Sequence, residues 1–146
     1  SVGVFQFLAA NMYWPQKITD AIVSWGLSPT GFIFAYMGVL LILGMFVDGV
    51  AMILLTVPVI FPVAFALKVD PVALGIMIVL NVEMGVVTPP VGLNLFAVSG
   101  TSKISLPEVV KGTIPFFVGD GIVLLLVIFF PELATWLPDQ LVKSVF

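Results

Sequence analysis

The sequence predicts an all-helical protein embedded in a lipid bilayer, and three observations predict it. Of its 146 residues 61% are hydrophobic and only 9% are charged, where an ordinary soluble domain carries about 25% charged residues. The apolar residues run together over helical lengths and show none of the alternation expected of strands. Two internal places, rich in Gly, Asp and Pro, interrupt these runs with residues that turn or break a helix. So few charges cannot coat a soluble globule, so most of this surface must face lipid or a membrane partner.

Residues 2–12 are apolar up to Asn11 but fall short of the ~20 residues that cross about 30 Å of hydrocarbon. They read as the end of a spanning helix, and the chain as a piece of a longer polypeptide. Tyr13 and Trp14 are residue types favoured at the membrane interface. Residues 15–27 open on Pro15 and set Ile18, Ile22, Val23 and Trp25 against Lys17, Thr19, Asp20 and Ser24. That pattern predicts a short arm helix lying in the interface.

Residues 29–67 predict a re-entrant helical hairpin. Two apolar runs, 31–47 and 49–67, are separated by the single charged residue Asp48. One straight helix of that combined length would reach about 55 Å at ~1.5 Å per residue, well beyond the hydrocarbon thickness. The chain must turn, and Gly44-Met-Phe-Val-Asp48-Gly49 is the glycine-bracketed place to do so. Pro58 and Pro62 in the second arm remove backbone donors and shape the helix.

Residues 71–99 predict a discontinuous helix. It starts after Lys68-Val-Asp70, carries Asn81 and Glu83, and runs into Thr88-Pro89-Pro90-Val91-Gly92. Two consecutive prolines remove two donors, and each disfavours helical geometry in the residue before it. Residues 101–111 hold Lys103, Glu108 and Lys111 and predict an exposed connection. Residues 113–137 predict a last spanning helix with Asp120 inside it, followed by a short tail. With the hairpin re-entrant, the five lysines split three to two across the membrane, too evenly for the positive-inside rule to set orientation.

Composition also excludes chemistry. A net charge of −3 with no basic stripe excludes nucleic-acid binding. Cys, His and Arg are all absent, which removes zinc and haem ligation, thiol and Ser–His nucleophiles, and bidentate anion clamps from this chain. The aspartates Asp48 and Asp120 invite comparison with intramembrane aspartyl proteases, whose second aspartate sits in Gly-x-Gly-Asp. Here the stretch is Phe117-Val-Gly-Asp120, so that motif fails and no enzyme is expected.

What remains is the chemistry of broken helices. Irregular backbone at membrane depth is tolerated only inside protein or along an aqueous cavity. Transporters exploit it: freed carbonyls coordinate a cation, and half-helix N-termini face an anionic group. The carbonyls of the two interruptions, with the oxygens of Asp48, Thr88 and Asn94, can together enclose a hard monovalent cation. Asp48 also reads as an N-cap for the helix from Gly49, either as a cap alone or, the favoured reading, as a cap that lines the cavity too. Asn81 and Asn94 read either as ligands or as polar links between helices. Glu83 reads as a proton-linked or a structural carboxylate, and Asp120 as a packing or interfacial group.

The stretch from Gly44 to Gly100 contains the Gly-Met-Phe-x-Asp tip, Pro58 and Pro62, Asp70-Pro71, and Thr-Pro-Pro-Val-Gly-Leu-Asn-Leu-Phe at Thr88 to Phe96. It is followed by Ile-Ser-Leu-Pro-Glu-Val-Val-Lys at Ile104 to Lys111. On these motifs the chain, from about Phe5 to Leu137, resembles the C-terminal part of the large membrane (permease) subunit of tripartite ATP-independent periplasmic (TRAP) transporters. The resemblance implies an elevator-type ion-transporter fold of two inverted repeats, this chain being the second, in a multi-pass subunit of the bacterial inner membrane. It implies uptake of a small organic anion, of the C4-dicarboxylate, keto acid or sialic acid class, driven by a sodium gradient. A periplasmic substrate-binding protein would deliver the solute, and a small membrane subunit, separate or fused, would scaffold the large one together with the remainder of its own chain.

By motif position, sodium would fall between the tip and the break, with Gly44, Asp48, Thr88 and Gly92 as ligand candidates and Asn81, Pro89 and Asn94 as further cavity residues. No cofactor beyond the coupling ion is expected. Glu83 and Asp120 depart from the family pattern. Other readings are an elevator-type carrier without a binding protein, or a structural membrane subunit.

Overall fold

A computed structural model of the protein describes residues 3, 4, 7 and 11–145. Most of the expected helix end at 2–12 lies outside the described residues. Among them the regular structure is entirely α-helical: α1 (Trp14–Ser24), α2 (Pro29–Gly44), α3 (Gly49–Ala66), α4 (Pro71–Val86), α5 (Leu93–Ser102), α6 (Leu106–Phe129) and α7 (Glu132–Val145).

Each start has a local cause. Ser28 caps α2, its hydroxyl accepting from the Gly31 amide at 3.1 Å, with Pro29 at the first helical position. Asp70 caps α4, one carboxylate oxygen accepting from the Val72 and Ala73 amides at 2.9 Å each, and Pro71 follows it. Ser105 and Glu108 close a box at the head of α6, the Glu108 carboxylate accepting from the Ser105 amide at 3.3 Å and from its hydroxyl at 2.8 Å, while the Glu108 amide donates to the Ser105 carbonyl. That box explains a boundary the sequence placed at 113: the polar stretch expected to be a connection is already helical from Leu106. At the other end α6 stops at Phe129, short of the expected 137, Phe130 leaves the helical region before Pro131, and α7 takes in residues 132–137 as well as most of the expected tail.

α4 stands at the centre, packed against α2, α3, α5, α6 and α7. Leu74, Met77, Asn81 and Gly85 lie on one stripe of it and are all buried, as the i, i+3, i+4 rule of one helical face requires. α1 packs on α3. α3 and α6 are the helices long and apolar enough to cross a membrane. The outer surface remains apolar, with Phe65 72% and Phe116 74% exposed. Contiguous apolar surface of this kind is tolerated against lipid or a partner and not against water. Between helices in lipid, close packing rather than water exclusion supplies the attraction, and one backbone-to-backbone contact here is glycine on glycine.

Candidate functional site

The segment 45–48 joins α2 to α3, and the arms run back alongside each other far enough for the Tyr36 and Thr56 hydroxyls to hydrogen-bond at 3.0 Å. At the turn, Asp48 Oδ2 accepts from the amides of Val50 and Ala51 at 3.1 Å each. The negative side chain thus satisfies two free donors at the positive end of α3.

The helix beginning at Pro71 is interrupted. α4 ends at Val86, residues 87–92 are not helical, and α5 resumes at Leu93. Gly92 takes the left-handed region at φ 52°, a conformation that costs L side chains energy and glycine none. A Cβ there would also stand 2.7 Å from Leu95 Cδ1.

The two interruptions meet. The amide of Gly92 donates to the carbonyl of Met45 across 3.2 Å, joining break to tip by backbone alone. At the ends of α2 and α4, just before the tip and the break, Gly44 and Gly85 touch: a Cβ on either would lie 2.8 Å from the other's Cα. A Cβ on Gly49 would lie 2.6 Å from Val82 Cγ1. Small residues at three positions therefore let the tip sit directly against α4.

Beside this junction lies a cavity of about 230 Å³, lined by Asp48 and Gly49 of the tip, Glu83 and Val86 of α4, and Asn94 of α5, among others. Two acidic groups and an amide face it, and its lining contains no basic side chain. Of the residues singled out from the sequence, Asp48 and Asn94 are brought together here, and Gly44 and Gly92 lie in the backbone junction. Thr88 and Pro89 line a different cavity of about 130 Å³ with Val110, Thr113 and Phe117. The Thr88 hydroxyl donates to the Met84 carbonyl, closing the last turn of α4. Asn81 lies on the opposite stripe of α4, 2% exposed, its amide donating to the Met37 carbonyl at 3.1 Å. Its Oδ1 is buried without a protein partner.

Glu83 is the cavity residue that sequence reasoning did not place among the site candidates. The available signal was its type: a carboxylate inside an apolar helix is expensive enough to mark function. Its face became clear only once Val79, Val82 and Val86 were seen to share the same cavity.

Comparison with known proteins identifies the family. Residues 1–133 match the family model described as "Tripartite ATP-independent periplasmic transporter, DctM component". The chain is 42% identical over 127 residues to a C4-dicarboxylate TRAP transporter large permease protein of Vibrio cholerae, covering 87% of this chain and 28% of that protein. It is 36% identical to a sialic acid TRAP transporter large permease protein of the same species, over 94% of this chain and 32% of the relative. An ectoine/5-hydroxyectoine TRAP transporter large permease protein of Ruegeria pomeroyi is 39% identical, over 94% and 32% respectively. The chain thus spans about a third of the length of these curated relatives. It belongs to the DctM family, the membrane-integral large permease component of the tripartite ATP-independent periplasmic transporters.

Proposed function

We propose that this chain is the C-terminal repeat of a sodium-coupled TRAP permease, a re-entrant hairpin at 29–67 and a broken helix at 71–99 forming one wall of its ion and solute path. The permease takes up a small organic solute at the inner membrane, together with a small membrane subunit and a periplasmic binding protein. The single observation that supports this most is the Gly92–Met45 backbone bond, which puts the tip and the break at one place. Backbone irregularity at membrane depth is tolerated where it lines a protein-enclosed or aqueous cavity, and the cavity beside that bond carries Asp48, Glu83 and Asn94.

Sodium is the coupling ion this environment suits. A hard cation seeks oxygen ligands, and the tip and break supply backbone carbonyls with the Asp48 carboxylate close by. Gly44 and Gly92 act through their backbone, and Asp48 contributes charge. Thr88 contributes by ending α4, its hydroxyl holding the Met84 carbonyl. The named relatives are C4-dicarboxylate, sialic acid and ectoine permeases. The cavity described here has no cationic side chain, so the countercharge for an anionic solute comes from the rest of the large subunit.

Uptake of labelled dicarboxylate, sialic acid and ectoine into proteoliposomes tests the proposal, using the complete large and small subunits with the matching binding protein. One solute is expected to accumulate under an inward sodium gradient and to stop when the gradient is collapsed or the binding protein omitted. Accumulation indifferent to both would sink it.

A further inference from the structure

Asn81 stands in the core where an apolar side chain would pack as well. It shares the buried stripe of α4 with Leu74, Met77 and Gly85. Among the described residues it is the one buried side chain that carries an amide or a charge. Its orientation is set by its partner. The Met37 carbonyl can only accept, so Nδ2 must face it, across 3.1 Å, and Oδ1 points away. No donor from the described residues reaches that oxygen, which is closed off from the surface. Leaving a buried acceptor unmet costs at least as much as one hydrogen bond contributes, whereas an apolar group of the same shape incurs no such loss. The amide therefore gains α4 little net stability. What it supplies is direction.

Direction matters because α2 and α4 run parallel. Along both helices the contacts advance in one sense: Asn81 meets Met37, Gly85 lies beside the Leu41 carbonyl and Gly44, and Gly92 meets Met45. Packed helices of this kind can slide past each other. A slip of a whole turn is barred, since it would set the Leu40 side chain where Gly44 now leaves room for Gly85. Smaller slips meet less resistance. The other buried residues of the two helices are mostly apolar, among them Phe32 and Ile33 on α2 and Ala73 and Ile78 on α4, and their attraction has no preferred direction. A hydrogen bond weakens steeply off its axis, so the Asn81–Met37 bond fixes the position within the turn. A single Asn among the apolar positions of a coiled coil sets register in the same way, and lowers stability in doing so.

We propose that Asn81 pins the register of α2 on α4 and so holds the Met45 carbonyl against the Gly92 amide. It is a positioning residue, because it touches neither the tip nor the break. Its effect passes along α2, which is helical without interruption from Pro29 to Gly44, so a displacement at Met37 reaches the tip. The consequence for ion affinity rests on the sodium reading given above, and the register itself does not.

The test compares Asn81→Leu with wild type in the complete permease together with its small subunit. Leucine nearly keeps the shape while removing the Nδ2 bond and the unmet Oδ1 together. The first readout is hydrogen exchange, by mass spectrometry, in a peptide spanning the break. Pro89 and Pro90 contribute no amide, so few positions share the signal with the buried, hydrogen-bonded amide of Gly92. Exchange there is expected to quicken about fivefold, the size of one net hydrogen bond. Peptides of α6 exchange as in wild type, and the melting temperature does not fall. Asn81→Ala leaves space instead of filling it, and is expected to show the same local exchange with a lower melting temperature. It keeps the test open should the leucine variant fail to assemble. The second readout is uptake, where half-maximal sodium is expected to rise about fivefold with the maximal rate within about twofold.

Unchanged exchange at the break in folded Asn81→Leu protein overturns the proposal. So does a lower melting temperature in that variant with faster exchange in every helix, the mark of a residue that only holds the fold. Faster exchange at the break with wild-type sodium dependence upholds the pin and removes the ion from the tip–break junction.

Discussion

Gly44 and Gly85 meet backbone to backbone, each so close that a Cβ on one would stand 2.8 Å from the Cα of the other. A Cβ on Gly85 would meet backbone atoms of Gly44 and Leu41 and no flexible side-chain end, so an added methyl group there must push the helices apart. Overpacking of this kind costs about 1–3 kcal/mol. Gly85→Ala is expected to lower the melting temperature of the purified permease, followed by fluorescence-detected size exclusion. Gly75→Ala, which would meet nothing within 4 Å, serves as the control and is expected to melt like wild type. Equal melting of Gly85→Ala and wild type would mean the two helices do not touch there.

Asp48 both caps α3 and brings charge to the cavity, and two substitutions separate these roles. Asn is about as good an N-cap as Asp, whereas Ala loses about 0.5–2 kcal/mol. Asp48→Asn is expected to melt like wild type yet need about tenfold more sodium for half-maximal uptake, roughly 1.4 kcal/mol of lost ion affinity. Asp48→Ala is expected to lose stability as well. Unchanged sodium dependence in Asp48→Asn would leave Asp48 as a cap alone.

Pro89 and Pro90 withhold two backbone donors between α4 and α5. Replacing both with Ala lets the helix continue toward Leu93 and withdraws the carbonyls that the break frees. Transport is expected to fall at least about tenfold, about 1.4 kcal/mol of barrier, while the protein still reaches the membrane. Wild-type uptake in the double variant would show that the break has no role in the path.

Glu83 faces the cavity with Asp48, exposed on α4, and no basic side chain lines that space. Glu83→Gln removes one of two negative charges without changing shape. The expected result is a several-fold weaker sodium dependence of uptake, within the ~1–3 kcal/mol that removal of a charge-assisted partner typically costs, with the melting temperature unchanged. Sodium dependence identical to wild type would make Glu83 a bystander on the cavity wall.

How far the sequence reaches can be judged residue by residue. Asp48-Gly49 and Asp70-Pro71 announced helix starts because capping is local: a side-chain oxygen meets an amide two or three residues ahead. Thr88-Pro89-Pro90 announced the interruption because a missing donor needs no neighbour to act. The start of α6 at Leu106 was also local, in the Ser105–Glu108 box, but the nearby lysines made that stretch look like a connection.

Composition and local chemistry by themselves determined the membrane class, the places where helices start and break, and the residue types able to meet a cation. Only the tertiary structure decided which of those residues share a space. It joined Met45 to Gly92, gathered Asp48, Glu83 and Asn94, and turned Thr88 and Asn81 toward other neighbours. The physical reason is that rotation about a helix axis depends on packing. A step of one residue turns a side chain by about 100°, and what fixes that rotation here is the approach of Gly44 to Gly85, a contact between residues forty-one positions apart in the chain.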